Sequence, residues 1–427
     1  MFLKVFKLIY LFLIMNDLDE LPSLETRLIT NPVILSKKAN SRIGKKFVLL
    51  TPAENQFSPP LRLNTQGKFT RKATINPAVT QNPLNKNRIS LLYRLIYTDD
   101  KGWSSSIVKR DASLDQGNVI LDSKEETIFQ AKSPFASRGT EDLRVNLIKG
   151  ETPIHGFPVR FNGIEPRVEY TRTSTNDPYN LRNWDNFGIL FPNIGVEEAI
   201  ACVQYERYKK EWNQNQGQES LKRAKKTGKP NLPEHPFLET KNCCLWPKKV
   251  WKDLGKGKGK QQYYATIIRL LPDMQIVYIE DFKQLANMEF WQDTVSNLGE
   301  HLLLERKFDW EKSHIGLGGQ PIETKEGVLT QYHGATMNPR DYRWGEALFD
   351  IDNPQKVLAR TSKPVHQATE PWEISSSKNG DIAKGKIVFP TGRVINEDIV
   401  YDFYGAADKF TGFIPTTLEK IYDRLIA

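Results

Sequence analysis

Cysteine is almost missing from this chain: three residues in 427, Cys202, Cys243 and Cys244. Two are adjacent and one stands alone, which excludes a disulfide framework and offers no zinc or iron–sulfur spacing. The sequence therefore predicts buried thiols, a reducing compartment and no metal. Long apolar runs are missing too. The N-terminal stretch Leu8–Met15, preceded by Lys4 and Lys7, holds eight apolar residues, far fewer than the ~18 of a membrane span. No small-x-small cleavage site follows it, and a second start at Met15 would remove it altogether. Residues 1–29 are read as an extension without assigned structure, and the chain as cytoplasmic, with no membrane contact.

Charge is present in the usual amount, 26%, with an excess of nine positive charges. That excess favours anionic partners, nucleic acid or a phosphorylated small molecule alike. Short runs rich in Val, Ile, Tyr and Phe recur from residue 30 onward. Among them are KFVLLTP, ISLLYRLIYTD, QYYATIIRLL, MQIVYIED, GVLTQYHGA, GKIVFPTG and DIVYDFYGAAD. Gly, Pro, Asn or Asp bounds most of them, which is the pattern of β-strands. Strands without alternating helices define an all-β sandwich, barrel or propeller. No strict repeat is visible. One segment, about 197–240, breaks the pattern: it is basic, partly helical in period, and carries Tyr205 and Trp212 as apolar anchors. It reads as an insertion between strands. The Gly-Lys alternation of KKVWKDLGKGKGKQQYY reads as a flexible cationic hairpin tip. Neither segment interleaves its basic residues with stacking aromatics, so nucleic acid is not the expected partner.

The stretch SHIGLGGQPIETKEGVLTQYHGA, residues 313–335, concentrates glycine and two of the six histidines. GLGGQP is not a dinucleotide fingerprint, because Pro321 occupies the third glycine position and a strand follows it instead of a helix. Its glycines suit a tight turn or close backbone approach. In GVLTQYHGA, alternation separates Val328, Thr330 and Tyr332 from Leu329, Gln331 and His333. Periodicity alone does not decide whether His333 is structural or a ligand.

Taken in order, these segments resemble glycoside hydrolase family 130, the mannoside phosphorylases and related β-mannosidases. The resemblance rests on TINPAV, LLYRLIY, GTEDLRV, TKNCCLWPKKV, RLLPDMQIVYIEDF, WEKSHIGLGGQPIETKEGVLTQYHGA, DYRWGEALFDIDNPQKVLART, GKIVFPTGRV and YDFYGAAD, and spans about residues 30–412. It implies one five-bladed β-propeller over residues 30–427, carrying the partly helical insertion. It implies an enzyme acting on β-mannosides by inverting phosphorolysis to mannose 1-phosphate. The alternatives it leaves are a β-mannosidase or mannosyl-transferring relative, and a non-catalytic carbohydrate-binding propeller. Asp142 matches the family's general acid. Asn76, Arg94 and Asp408 match positions that hold the sugar. Lys241, Asn242, Arg269, His333 and Tyr342 match the phosphate and acceptor side, as does His314. Inorganic phosphate would be the co-substrate and a mannose-containing oligosaccharide the partner, with no other cofactor; homo-oligomerisation stays open.

Several residues depart from the family pattern: Leu143 where proline is usual, Lys241 where arginine is common, His314 where lysine is frequent, and Lys248 in place of glutamate. Read without the resemblance, Glu141, Asp142 and Arg144 would also fit a surface ion cluster. The similar segment NGIEPRVEY lacks an aspartate, so Glu165 is given no catalytic role. In this reading residues 316–321 turn the chain at the mouth of the site and His333 points into it.

Overall fold

Seven sequence runs rich in β-branched and aromatic residues become strands, and they assemble into antiparallel groups around one another. The computed structural model describes residues 37–51, 70–99, 102–129, 136–163, 166–174, 180–191, 194–212, 238–255, 257–270, 272–375 and 384–427. The N-terminal extension, most of the second half of the insertion, and Glu165 lie outside these residues.

Among the described residues a short helical turn at Lys37–Asn40 precedes the first strand, β1 (Phe47–Leu50). A first group follows, with β2 (Thr70–Asn82), β3 (Asn85–Asp99), β4 (Gly102–Asp115), β5 (Asn118–Leu121) and β6 (Glu126–Phe129). The second group holds β7 (Thr140–Leu147), β8 (Ile154–Phe161), β9 (Pro166–Thr173) and β10 (Trp184–Ile189). The third comprises β11 (Thr240–Leu245), β12 (Val250–Asp253), β13 (Lys260–Leu270), β14 (Met274–Ile279) and β15 (Leu302–Leu304). Next come β16 (His314–Leu317), β17 (Ile322–Glu323), β18 (Val328–Met337), β19 (Arg340–Phe349) and β20 (Val357–Arg360). The last strands are β21 (Ile374–Ser375), β22 (Gly385–Asn396), β23 (Ile399–Ala406) and β24 (Phe410–Thr417). These two last sets, with β1, form one ten-stranded sheet, joined by a short parallel ladder that pairs Asp341 with Lys386 and Tyr342 with Ile387.

The leading strands of successive groups face one another. β2 lies against β7, β7 against β11, β11 against β16, and β22 returns to β2. β1 adds to β24 as the outermost strand, pairing Phe47 with Phe413, so early and late chain share one sheet. Apolar side chains fill the spaces between groups. Leu91, Leu95 and Val108 are fully buried with Val79, Phe403 and Phe413, each aliphatic side chain contributing roughly 1.5–3 kcal/mol by leaving water.

The insertion is more deeply packed than a solvated loop. It forms helices α1 (Val196–Cys202) and α2 (Glu206–Glu211). Tyr208 and Trp212 are buried in the same core as Phe191, Trp291 and Leu270, with Tyr205 against its edge. Tyr208 donates to the buried carboxylate of Asp273 at 2.9 Å, and Glu211 pairs with Arg306 at 2.5 Å. The Gly-Lys segment is a hairpin pairing Asp253 with Lys260, and Gly255, Gly257 and Gly259 all have φ near +70 to +80°. Two helices had no counterpart in the sequence reading: α3 (Met288–Ser296) and α4 (Leu418–Ile426). Ile421, Tyr422 and Leu425 of α4 pack on Leu329, Leu348 and Val400. Cys243 and Cys244 are buried free thiols, and burial pushes both upward, Cys244 to about 12, so neither is a thiolate.

Candidate active site

Three leading strands share one local device. In β2 the register passes from Ile75 opposite Arg94 to Ala78 opposite Leu92. In β7 it passes from Glu141 opposite Val159 to Arg144 opposite Phe157. In β11 it passes from Lys241 opposite Arg269 to Cys244 opposite Ile267. Each is a β-bulge with two residues facing one, and the first of the two extra residues is Asn76, Asp142 or Asn242. Their φ angles are 54°, 36° and 56°. Asn and Asp tolerate this left-handed region better than other side chains, and bulges re-aim side chains. Asp408, at the turn between β23 and β24, has φ 52°.

These four residues line one cavity of about 180 Å³ together with Arg94, Glu141, Lys241, Arg269, Arg340 and Tyr342, and with Ile75, Ile96, Ile387 and Phe389 as apolar wall. Segments far apart in sequence thus converge as the motif order implied. The surface-cluster reading of residues 141–144 is excluded: Leu143 and Arg144 are fully buried, and Glu141 nearly so. Leu143, where proline is usual in the family, packs in a core with Ala78, Leu92 and Val145.

Asp142 Oδ1 accepts a hydrogen bond from Asn76 Nδ2 at 2.8 Å and lies 3.6 Å from Arg94 Nη1. Burial by itself raises its proton affinity, but Arg94, Arg144, the Asn76 amide and Lys241 outweigh burial and hold the carboxyl below its ordinary range. Arg94 also pairs with Glu141 at 2.5 Å. Asp408 is paired with Arg340 at 3.1 Å, yet burial and the nearby Asp142 charge push it upward. The site therefore holds two acidic groups whose proton affinities are driven apart. Among the described residues, neither Lys241 nor Arg269 has a carboxylate within ion-pair distance, although both line the cavity.

The two histidines depart from expectation. His333 does not line the cavity; it is fully buried, with Nε2 3.4 Å from Arg269 Nη1 and its ring 4.5 Å from Phe389. His314 is also buried, and its Nε2 lies 3.3 Å from the Tyr342 hydroxyl. Burial first, then the Arg269 charge, drives both imidazoles well below their ordinary value, so they are neutral near pH 7. They sit behind Arg269 and Tyr342 as supports, not as charged ligands.

The glycine cluster is likewise not a turn at the mouth. Gly316 lies within β16, paired with His333. A Cβ there would fall 2.6 Å from His333 Cε1 and 2.8 Å from Asn242 Oδ1. Gly318 gives its carbonyl to Arg144 Nε at 2.6 Å, and a Cβ on Gly319 would meet the Gly392 backbone at 2.9 Å. These glycines let strand groups approach beneath the cavity. Glu323 and Glu326, acidic residues near the glycine cluster, bond Lys149 and Tyr422 and do not line the site. Lys248 pairs with Asp352, also away from the cavity.

The sequence reading missed Glu141 and Arg340 as lining residues. Glu141 adjoins Asp142 and was readable as its neighbour; Arg340 sits at the start of a hairpin strand with no motif to mark it. Among the described residues no His, Cys, Asp or Glu cluster is arranged to hold a metal ion, and no helix is long and apolar enough to cross a membrane.

Antiparallel strand groups whose leading strands face one another thus carry a polar cavity floored by bulges. Residues 238–426 match the glycoside hydrolase family 130 model, described as beta-1,4-mannooligosaccharide phosphorylase. A 1,2-beta-oligomannan phosphorylase from Thermoanaerobacter sp. (strain X514) is 33% identical over 181 residues, 42% of this chain and 52% of that one. The chain spans about half the length, or less, of the curated relatives it matches. The fold is similar to that of the beta-1,2-mannobiose phosphorylase from Listeria innocua in complex with beta-1,2-mannobiose. That similarity has a TM-score of 0.57 at 18% identity, over 88% of this chain and 96% of that one. It is also similar to a structure described under GH130 glycoside hydrolases that target beta-1,2 mannosidic linkages in Candida mannan (TM-score 0.58, 18% identity, 88% and 93% covered).

Proposed function

We propose that the protein is an inverting β-mannoside phosphorylase built on a five-bladed β-propeller. The strand groups in sequence order, one leading strand of each facing the next, support the propeller. Inorganic phosphate is the co-substrate and mannose 1-phosphate the product. The observation that carries the reading is the meeting, in one cavity, of a half-buried Asp142 with Lys241 and Arg269, two cations with no carboxylate at ion-pair distance among the described residues.

An inverting phosphorylase needs one proton donor and an anionic nucleophile on the opposite face of the sugar, not two free carboxylates. Asn76, Arg94 and Asp408 present donors and acceptors of fixed direction, which is what sugar hydroxyls require. Lys241 and Arg269 bind phosphate through charge-assisted hydrogen bonds, and the guanidinium fork holds it for in-line attack at the anomeric carbon. Asp142 protonates the departing oxygen, directly or through a sugar hydroxyl. A hydrolase would need a further carboxylate free to activate water. The two others in the cavity, Glu141 and Asp408, are each held by an arginine.

The test is cleavage of β-1,2-mannobiose and β-1,4-mannobiose by the purified protein with and without phosphate. Phosphate-dependent release of mannose 1-phosphate supports the reading; equal cleavage in phosphate-free buffer overturns it in favour of a mannosidase. Binding of either disaccharide without turnover points to a carbohydrate-binding propeller.

A further inference from the structure

Arg340 lines the cavity in contact with both Asp408 and Tyr342. It is the first residue of β19, and a glycine on the neighbouring strand accommodates it: a Cβ on Gly385 would fall 2.5 Å from the Arg340 carbonyl oxygen and 3.1 Å from its Cβ. Its Nη2 binds Asp408 Oδ2 at 3.1 Å. Its guanidinium carbon lies 5.3 Å from the centroid of the Tyr342 ring, and all three residues line the cavity with Asn76, Arg94, Arg269 and Lys241. Tyr342 in turn contacts His314. The side chain is only 28% exposed.

We infer that Arg340 is a positioning residue that joins the sugar half of the cavity to its anion half, a role that rests on the phosphorylase reading above. One guanidinium fixes the carboxylate that accepts from sugar hydroxyls and confines the ring beside the anion site. Its charge adds to that of Lys241 and Arg269, which line the same cavity. Most other polar groups here serve one half: Arg269 and Lys241 the anion, Asn76 and Asp408 the sugar. Arg340 touches both sides, so its loss damages both.

The experiment compares the wild type with Arg340→Gln and Arg340→Lys, with circular dichroism and thermal melting to confirm folding. Initial rates are measured over a grid of β-1,2-mannobiose and phosphate, and calorimetry measures binding of each probe alone. Loss of one charge-assisted contact in each half raises both Michaelis constants, and both dissociation constants, by about tenfold or more in Arg340→Gln. Arg340→Lys recovers part of each, because it restores charge without the planar fork. A rise confined to one substrate overturns the inference, as does a fall in kcat and melting temperature with both constants unchanged. Where the wild type binds both probes but cleaves without phosphate, the phosphorylase reading fails. The calorimetric comparison still decides the role of Arg340. A wild type that binds neither probe overturns both.

Discussion

Arg269→Ala is the substitution that most directly probes the anion site. Arg269 is 7% exposed, has no carboxylate partner among the described residues, and its only side-chain neighbour at hydrogen-bond range is His333 Nε2 at 3.4 Å. Because His333 is held neutral by burial and by Arg269 itself, that contact uses little of the arginine's charge. A phosphate dianion would be its principal counter-ion. Removing a charge-assisted hydrogen bond of this kind costs about 1.5–3 kcal/mol, equivalent to roughly 10- to 150-fold in affinity. The expected outcome is a rise of that size in the Michaelis constant for phosphate, with a much smaller change for the mannoside. The assay is phosphate-dependent release of mannose 1-phosphate at fixed, saturating disaccharide. His333→Ala should give a weaker version of the same defect, since it removes a support rather than a ligand. An unchanged phosphate constant in Arg269→Ala, or an equal rise for both substrates, would refute the assignment of the anion site.

Three further outcomes follow from the geometry. Asp142→Asn keeps the shape and can still hydrogen-bond Asn76 but cannot donate the proton, so turnover falls by about 10²–10⁴-fold while melting is little changed; retention of more than about a tenth of the rate sinks the acid assignment. Gly405→Ala places a methyl 1.9 Å from Asn76 Oδ1, displacing Asn76 from Asp142, so the mannoside constant rises and kcat falls; wild-type kinetics would show that Asn76 does not orient the acid. In the proposed mechanism the proton on Asp142 is needed for cleavage, so the rate of phosphorolysis is expected to decline as pH rises through the acid's value in the complex. Phosphate bound at Lys241 cancels part of the field that lowers this value, and the alkaline limb of the pH profile moves upward as phosphate is raised. A limb independent of phosphate concentration would separate the two groups.

Much of the molecule was readable before any coordinates. The strand runs were legible because β-branched and aromatic residues bounded by turn formers dictate extended backbone locally. Asp142, Asn76 and Asn242 were reachable only through motif resemblance, since nothing in composition marks a bulge. Their shared feature is a backbone conformation that Asn and Asp merely tolerate, and no strict sequence repeat accompanies it. His333 was misjudged because alternation along β18 says which face a side chain takes, not what lies on that face. Both faces of β18 are buried over Val328–Ala335, so no polar side was left to point at a ligand. The buried anchoring of the insertion was half legible, in Trp212 and Tyr205. Tyr208 was hidden because its partner, Asp273, lies 65 positions away. Arg340 was invisible for the same reason: its meaning depends on Asp408, brought near by sheet pairing alone.

In the proposed phosphorylase mechanism, the electrostatics of Asp142 bear on how one carboxyl would serve a reversible reaction. In the free protein the surrounding cations and the Asn76 amide keep it ionised despite burial, which is the state a general base requires. For synthesis from mannose 1-phosphate and an acceptor sugar, it is already poised to take the acceptor's proton. For phosphorolysis it must first gain a proton, and the incoming phosphate supplies the electrostatic condition for that by neutralising Lys241 and Arg269. Proton uptake and phosphate binding are then linked: each makes the other more favourable, by the same factor. Arg94 and Arg144 remain in place throughout, so the carboxyl never drifts to the high value that burial alone would impose. A fixed pair of arginines sets the resting state, and two unpaired cations let the anion adjust it. That division leaves Lys241 and Arg269 without a carboxylate at ion-pair distance among the described residues, while Arg94 and Arg340 are paired with Glu141 and Asp408.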